Sequence, residues 1–301
     1  MKPESGHTPV LLAEVVGLLP ADRREVLVDC TVGLGGHAEA LLGSAGPGAR
    51  LIGIDVDEEN LRRTKRRLAP IGERVRLFSA NFAELPAVMA EAGERSADFV
   101  LADLGVSSSQ LDDPGRGFAF GEDGPLDMRM NPALPRTAAD LVNALSEKAL
   151  ADLIYQFGDE RYSRRIARAV VAARKQSRIE RTGQLAKIVA RSVPPAARRA
   201  RRGVHPATRT FQALRIAVND ELANLDRLLD ALEGVLAPGG RAAIISFHSL
   251  EDGRVKRAFA QLARAGTGRV LTPKPVTASP QEIQRNPRSR SAKLRAVEKI
   301  A

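Results

Sequence analysis

The stretch VLVDCTVGLGGHAEALL, at residues 26–42, joins two apolar runs through three glycines and a histidine. The first run has the length and β-branched content of a buried strand, and the second has helical spacing. A strand that ends in glycines and opens a helix presents backbone N–H groups and the positive helix end to a ligand. The stretch therefore predicts a strand, turn and helix with a ligand at the turn.

Short apolar runs of the same kind recur along the first hundred residues. They fall at residues 26–30, 51–56, 75–79 and 99–104, and segments of helical length such as 57–68 separate them. Strands that alternate with helices form a mostly parallel sheet with helices on both faces. The predicted fold class is therefore α/β and Rossmann-like.

This alternation stops after Asp103. Residues 105–135 contain glycines and four prolines with little periodicity, a length that indicates an active-site loop rather than a passive connection. We predict that residues 1–134 and 208–301 form one core domain, and that a helical, arginine-rich domain at 135–207 interrupts it.

Helical signals fill the interruption. Thr137 followed by Asp140 predicts a helix start. Apolar residues three or four apart from Phe211 onwards predict one long helix that ends at the Pro-Gly-Gly turn of residues 238–240. The run AAIISF after this turn predicts a fifth strand, so the sheet resumes. Further short helices are predicted around residues 150–157, 166–171 and 185–189.

Composition narrows the class of protein. The 301 residues are 44% hydrophobic and 27% charged, which is ordinary for a globular protein. No 18-residue apolar stretch is present, and the N-terminus lacks the layout of a secretion signal, so we expect a cytoplasmic protein without a membrane partner. The single cysteine, Cys30, and the scattered histidines offer no metal-ligand spacing, so we expect no metal.

The net charge of +10 is concentrated in one segment. Residues 161–215 contain 16 lysines and arginines but only one acid, Glu180. Such a segment binds polyanions, or it is simply a solvated arginine-rich face. No amphipathic stretch favours a membrane surface, so nucleic acid is the favoured partner.

A carboxylate indicates the kind of ligand at the glycine turn. Asp55 ends the second predicted strand, 19 residues after Gly36, where a carboxylate accepts hydrogen bonds from the two hydroxyls of a ribose. The spacing G-L-G-G-H is not the dinucleotide fingerprint, and no P-loop motif is present, so the implied ligand is a nucleoside. His37 either contacts this ligand or only begins the helix.

A second carboxylate indicates the reaction. Asp103 ends the fourth strand, and with Gln110 in the stretch DLGVSSSQLD it faces the same crevice. An exocyclic amine of a nucleobase is a poor nucleophile, and an acceptor on its N–H bonds makes its lone pair more available. With a sulfonium methyl donor, such a transfer needs neither metal nor covalent nucleophile. The alternative is that Asp103 only caps the following turn.

Several longer motifs resemble one family. They are VDCTVGLGGH, IGIDVD, ANF, DLGVSSSQLD, RGFAF, DGPLDMRM, RTFQALRIAVNDEL, ISFHSLED and NPRSRSAKLRA. Together with HTPVLL, which begins at His7, they resemble the bacterial small-subunit ribosomal RNA cytosine-N4 methyltransferases over nearly the whole chain. The resemblance implies a class I methyltransferase core with an inserted helical domain. It also implies S-adenosyl-L-methionine as donor, and a cytosine in the decoding region of 16S ribosomal RNA, within the small ribosomal subunit, as target.

The resemblance also implies roles for particular residues. Phe82 would pack at the adenine of the donor, and Asp103 serves both the donor and the target amine. The residues that look like the donor-binding set are Gly35, Gly36, His37, Asp55, Phe82, Asp103 and Gln110.

Further residues are candidates for holding the target base. Ser246, Phe247 and His248 end the fifth strand at the same edge. Phe118 and Phe120, in the glycine-rich loop, either stack on a flipped base or pack in a core. The basic tail at residues 285–293 either extends the RNA contact or is solvated.

Other functions are weighed against this one. A cytosine-C5 methyltransferase needs a thiolate beyond the fourth strand, whereas Cys30 lies in the first. A dehydrogenase and a serine hydrolase each lack their fingerprint motif. A non-catalytic RNA-binding ribosome-assembly factor and a DNA amino-methyltransferase remain as alternatives. The oligomeric state does not follow from the sequence.

Overall fold

The structure is a computed structural model, and it describes residues 9–20, 25–200 and 204–300. His7, which begins the HTPVLL motif, lies outside the described residues, as do Arg201 and Arg202 of the arginine-rich segment. No helix in the described part of the chain is long and apolar enough to cross a membrane.

One seven-stranded sheet runs through the described residues. Its order is β3-β2-β1-β4-β5-β7-β6, with β1 to β5 parallel to one another and β7 antiparallel to both β5 and β6. The predicted α/β class with a mostly parallel sheet is confirmed. The strands are β1 (Val26–Asp29), β2 (Arg50–Asp55), β3 (Val75–Ser79), β4 (Ala97–Asp103), β5 (Leu236–Ser246), β6 (Gly268–Val270) and β7 (Lys293–Lys299).

The helices follow the sequence pattern in most places. Asp57 caps the third helix by accepting the N–H of Glu59, and Thr137 and Asp140 form a capping box at the predicted helix start. The helices are α1 (Leu12–Gly17), α2 (Gly36–Ser44), α3 (Glu58–Leu68), α4 (Leu85–Glu91), α5 (Ser108–Asp112), α6 (Ala138–Ala144), α7 (Glu147–Gly158), α8 (Ser163–Arg174), α9 (Thr182–Ser192), α10 (Pro195–Ala200), α11 (Thr208–Asn219), α12 (Glu221–Val235), α13 (Ser249–Ala265) and α14 (Pro280–Arg285).

Apolar side chains cover both faces of the sheet, because successive strand residues point to opposite sides. Leu27 of β1 belongs to one buried cluster, together with residues of α1 and α2. Val28, the next residue, belongs to another cluster with residues of α4, α12 and α13. The sheet is therefore the middle of three layers, and its polar strand ends are left at the edges.

The chain divides into two compact units. The first contains the residues up to Gly105 and those from Leu222 onwards, and the second is Val106–Glu221. The second unit is longer at both ends than the predicted insert 135–207. The reason is packing, since Phe118 and Leu126 before the insert and Phe211 after it are buried in one cluster with α6 to α9.

Two predicted features at the return to the sheet were wrong. The long helix from Phe211 is two helices, α11 and α12, because Asp220 adopts a left-handed φ of 51° between them. The Pro-Gly-Gly turn at residues 238–240 lies inside β5, where Gly239 has a φ of 78° and the pairing with β4 shifts register. The glycine permits a bulge rather than a turn.

Candidate active site

The glycines of the turn after β1 pack closely against neighbouring side chains. Gly35 caps α2 with a φ of 78°, in the left-handed region that favours glycine. A methyl group added to Gly36 would lie 2.5 Å from Cγ of Pro9. The two glycines therefore let α2 begin tightly packed against Pro9 and Thr64, with the N–H groups of its first turn at the carboxyl edge of the sheet.

Asp55 is tied to this turn. Its Oδ2 accepts the N–H of Gly33 at 2.9 Å and the side-chain amide of Asn60 at 3.3 Å, and its Oδ1 accepts the N–H of Asp57 at 2.8 Å. Burial raises the pKa of the Asp55 carboxyl to about 6, against the effect of these hydrogen bonds. A carboxylate offers about four acceptor positions, so capacity remains for a hydroxyl of a ligand.

Asp103 has the least satisfied carboxyl of the site. Its Oδ1 is buried and has no hydrogen-bond partner among the described residues, and its Oδ2 lies 3.7 Å from Nδ1 of His37. Burial, and then the charges of Asp29 and Glu251, raise the pKa of this carboxyl well above its ordinary value. An unsatisfied buried oxygen of this kind costs free energy, which a ligand N–H can recover.

Asp29 is a third carboxyl of the site, and the sequence analysis missed it. It ends β1, which lies between β2 and β4, and it is 1% exposed. Burial is the main cause that raises its pKa to about 7, with the charge of Asp55 adding to it. A signal was present, because β1, β2 and β4 each end in aspartate.

Asp29 and Asp103 are linked through one residue of the turn. The N–H of Thr31 donates to Oδ1 of Asp29 at 3.1 Å, and the hydroxyl oxygen of Thr31 accepts the N–H of Asp103 at 2.7 Å. The three strand-end carboxyls therefore form one acidic cluster, defined here as Asp29, Asp55 and Asp103.

His37 lies next to this acidic cluster. Its Nε2 is 2.9 Å from the carbonyl oxygen of Val10, so Nε2 carries the proton and donates. In the neutral ring, Nδ1 is then the unprotonated nitrogen that faces Asp103. Phe82, the other predicted donor contact, follows β3 at the same edge and packs partly buried against the apolar layer.

The end of β5 adds polar groups at the same edge. Oγ of Ser246 is buried and has no hydrogen-bond partner in the described part of the chain. The ring of Phe247 lies next to Gly105, where an added methyl group would be 3.5 Å away. His248 caps α13, with its Nδ1 accepting the N–H of Glu251 at 3.4 Å, so it serves the helix start first.

The remaining predicted residues belong to the second unit. Oε1 of Gln110 accepts the N–H of Ser107 at 3.1 Å in a capping box of α5. Phe118 is buried in the core of this unit. The ring of Phe120 is partly exposed and contacts His205 and Phe211, each at 4.7 Å between ring centroids.

Cations cover the outer side of the second unit. Ile166, Ala167 and Val170 bury the inner face of α8. Arg164 and Arg165 lie on its exposed face. Some cations are neutralised, since Arg168 pairs with Glu147 and Arg178 with Asp140. Arg164 and Arg165 form no ion pair with the described acids.

Comparison with known proteins gives a consistent family. The model of the MraW methylase family matches residues 4–300. The ribosomal RNA small subunit methyltransferase H of Syntrophobacter fumaroxidans is 49% identical over 312 residues, which cover 99% of this chain and 97% of that protein. The protein of the same name from Geobacter sulfurreducens is 49% identical and covers 98% of this chain and 99% of its own length. That of Symbiobacterium thermophilum is 48% identical, with coverage of 98% and 96%.

Proposed function

The chain belongs to the MraW methylase family of S-adenosylmethionine-dependent ribosomal RNA methyltransferases, and from this premise we propose that it methylates the N4 amine of a cytosine in the decoding region of 16S ribosomal RNA. The first unit has the class I methyltransferase fold. We take the small ribosomal subunit as its partner and the cytoplasm as its compartment.

The residues at the carboxyl edge fit the donor. The turn at Gly35 and Gly36 directs the N-terminal N–H groups of α2 to the carboxyl edge, where they suit a nucleoside with an amino-acid chain, and Asp55 keeps one acceptor position for a ribose hydroxyl. The acidic cluster is complementary to a cationic sulfonium. His37 and Phe82 belong to the same set in this proposal, as does Gln110. When bound, the donor supplies an activated methyl group.

One observation carries the proposal, namely the buried and unpartnered Oδ1 of Asp103 at the carboxyl end of β4. An acceptor at this place suits an N–H donor, and the target amine offers two N–H bonds. A carboxyl with a raised pKa is also a stronger base than an ordinary aspartate. Asp103 therefore holds the amine, increases the availability of its lone pair, and receives the proton that the amine loses.

Other residues position the base. Ser246 has a buried hydroxyl without a partner, which can bind a polar atom of the base edge. Phe247 provides an apolar surface next to Gly105, and the partly exposed ring of Phe120 in the second unit stays a candidate for stacking on the base. In this proposal His248 does not bind the base itself, because it caps the start of α13. Phe118 is left out because its ring is buried in the core.

The second unit binds the RNA in this proposal. Its outer side carries cations such as Arg164 and Arg165, whose guanidinium groups bind phosphates without reading sequence. We propose that the catalytic core comprises the first unit and that the helical, arginine-rich unit recognises the substrate. These roles correspond to the predicted domains with the longer bounds given above.

The test is transfer of a labelled methyl group by the purified protein. Small subunits and 16S transcripts that lack the modification are incubated with labelled S-adenosylmethionine, digested and analysed by nucleoside mass spectrometry. We expect N4-methylcytidine at one position of the decoding region, and none with Asp103→Ala. Circular dichroism and thermal unfolding of the variant serve as controls for folding.

The alternatives give different results in the same experiment. RNA binding without donor binding would indicate an assembly factor, and transfer to DNA alone would indicate a DNA amino-methyltransferase. A methyl group on C5, or full activity of Asp103→Ala, would overturn the proposed role of Asp103.

A further inference from the structure

Three arginines lie just before β7, the strand that pairs with β5. Residues 283–292 contain Arg285, Arg288 and Arg290 and no acid, and all three arginines are exposed. We name them the arginine ridge. The question is whether this ridge is a solvated surface or part of a binding site.

Topology places the ridge at the edge of the sheet that carries the acidic cluster. β7 is antiparallel to β5, and Lys293, its first residue, is opposite Ser246, the last residue of β5. The residues just before Lys293 therefore lie beyond the carboxyl ends of the parallel strands. This is the edge at which ligands bind in α/β sheets.

A series of contacts connects the ridge to Asp103. Glu282 of α14 accepts the N–H of Leu11 through its Oε1 at 2.8 Å. The carbonyl oxygen of the preceding residue, Val10, is 2.9 Å from Nε2 of His37, and Nδ1 of His37 lies 3.7 Å from Oδ2 of Asp103. The ridge is therefore next to the segment that lines the catalytic crevice.

The backbone of the ridge is well fixed. Ser289, between Arg288 and Arg290, is fully buried, and its hydroxyl donates to the carbonyl oxygen of Asn286 at 2.8 Å. A short 3-10 helix spans Pro287–Ser291. Arg288 and Arg290 are thus held on this turn and Arg285 at the end of α14, so their alignment on a ligand costs less entropy than on a flexible tail.

Two arginines of the ridge lack an acid partner. Arg285 and Arg290 form no ion pair within the part of the chain that the structure describes. In the adjacent β7, by contrast, Lys293 and Arg295 share Asp252, at 3.3 Å and 2.6 Å. Positive charge at the catalytic edge is thus neutralised in the strand but not at Arg285 and Arg290 of the ridge.

We propose that the arginine ridge binds phosphates of the RNA strand next to the target cytosine, so that the catalytic unit itself carries part of the RNA-binding surface. The inference rests on the proposed function. Guanidinium groups suit phosphates because they donate two parallel hydrogen bonds. Phosphates held there place the target nucleotide at the crevice, while the cations of the second unit contact other parts of the RNA.

The test compares two double variants with equal loss of charge. Arg285→Gln with Arg290→Gln removes two exposed arginines of the ridge. Arg95→Gln with Arg264→Gln is the matched control. Arg95 precedes β4 and Arg264 lies in the last turn of α13, so both are exposed at the opposite edge of the sheet. Binding of a 16S transcript is measured over a range of KCl concentrations, alongside methyl transfer.

The salt slope is the magnitude of the slope of the logarithm of the RNA-binding constant against the logarithm of the KCl concentration. We expect the ridge variant to lower this salt slope by about 1.5 to 2 and to raise KM for RNA about tenfold, because two phosphate contacts are lost. Donor affinity and kcat at saturating RNA should match the wild type, as should every property of the control. Arg285→Lys with Arg290→Lys should restore most of the salt slope. A ridge variant with the salt slope and KM of the control would overturn the inference, whereas a wild type that binds RNA but transfers no methyl group would refute the proposed function alone.

Discussion

Asp29→Asn should make the protein less sensitive to alkaline pH. The carboxyl of Asp29 is buried between two other strand-end carboxyls, and its pKa is about 7 instead of the ordinary 3.8. The folded protein therefore binds a proton that the unfolded chain releases. Stability from this group is fully present below pH 3.8, declines as pH rises, and is completely lost once pH has passed 7.

The size of this effect follows from the two pKa values. A tenfold change in proton affinity is worth about 1.4 kcal/mol, so Asp29 lowers the free energy of unfolding by about 4 kcal/mol across the full range and by about 2 to 3 kcal/mol between pH 5 and pH 8. Asparagine has the same shape and still accepts the N–H of Thr31. Its buried amide costs about 1 to 3 kcal/mol at every pH, so it cancels from the comparison between two pH values.

The assay is urea denaturation at pH 5 and pH 8, followed by far-UV circular dichroism. Between pH 5 and pH 8, the free energy of unfolding of the wild type should fall by about 2 to 3 kcal/mol more than that of Asp29→Asn. Asp230→Asn, the same change at an exposed position of α12, should behave as wild type. Parallel losses in wild type and Asp29→Asn would refute the reasoning, because the pKa of Asp29 would then not be raised in the folded protein.

Three further predictions concern ligands. Gly35→Ala should weaken donor binding measured by calorimetry, because a φ of 78° strains alanine by about 1 to 2 kcal/mol, whereas Gly43→Ala in the same helix meets open space and should bind normally. Arg164→Gln with Arg165→Gln should lower the salt slope of RNA binding by about 1.5 to 2 and leave donor affinity unchanged; an unchanged slope would make this face merely solvated. The preference for S-adenosylmethionine over neutral S-adenosylhomocysteine should increase between pH 5.5 and pH 8, because Asp29 and Asp55 ionise in this range and attract the cation; equal pH profiles for both ligands would contradict this.

The parts of the fold that depend on local pattern could be predicted from the sequence. The strands of the first hundred residues show as β-branched runs, and the capping box at Thr137 shows as a pair of residues three apart. The break between α11 and α12 does not show, because the apolar spacing continues through it. Asn219 supports the break by donating to the carbonyl oxygen of Met128 and accepting the N–H of Met130, which lie about ninety residues away in sequence. Contacts over such distances leave no local pattern.

The residues of the site could likewise be predicted only where a local pattern marks them. Asp55 and Asp103 were found because each follows a recognisable strand and the ends of parallel strands meet. Asp29 is not among the predicted site residues. Cys30 after it extends the apolar run, so the pattern places the aspartate inside the strand rather than at its end. For Gln110 the sequence predicts the position but not the hydrogen bonds. The sequence places it in the loop after β4, but only the structure shows that its Oε1 accepts the N–H of Ser107.

The placement of three carboxyls on adjacent strands links binding to proton transfer. Burial, and to a smaller extent the repulsion between Asp29 and both neighbours, raises the pKa values of the acidic cluster, so it holds protons above the ordinary pH range when no cation is near. A bound sulfonium favours the ionised carboxyls, which is the state in which Asp103 accepts the N–H bonds of an amine. Transfer of the methyl group removes the positive charge from the sulfur and leaves an extra proton on the amine. Asp103 then regains its high proton affinity at the moment when a proton must be accepted, so the same burial and repulsion that cost stability favour the last step of the proposed reaction.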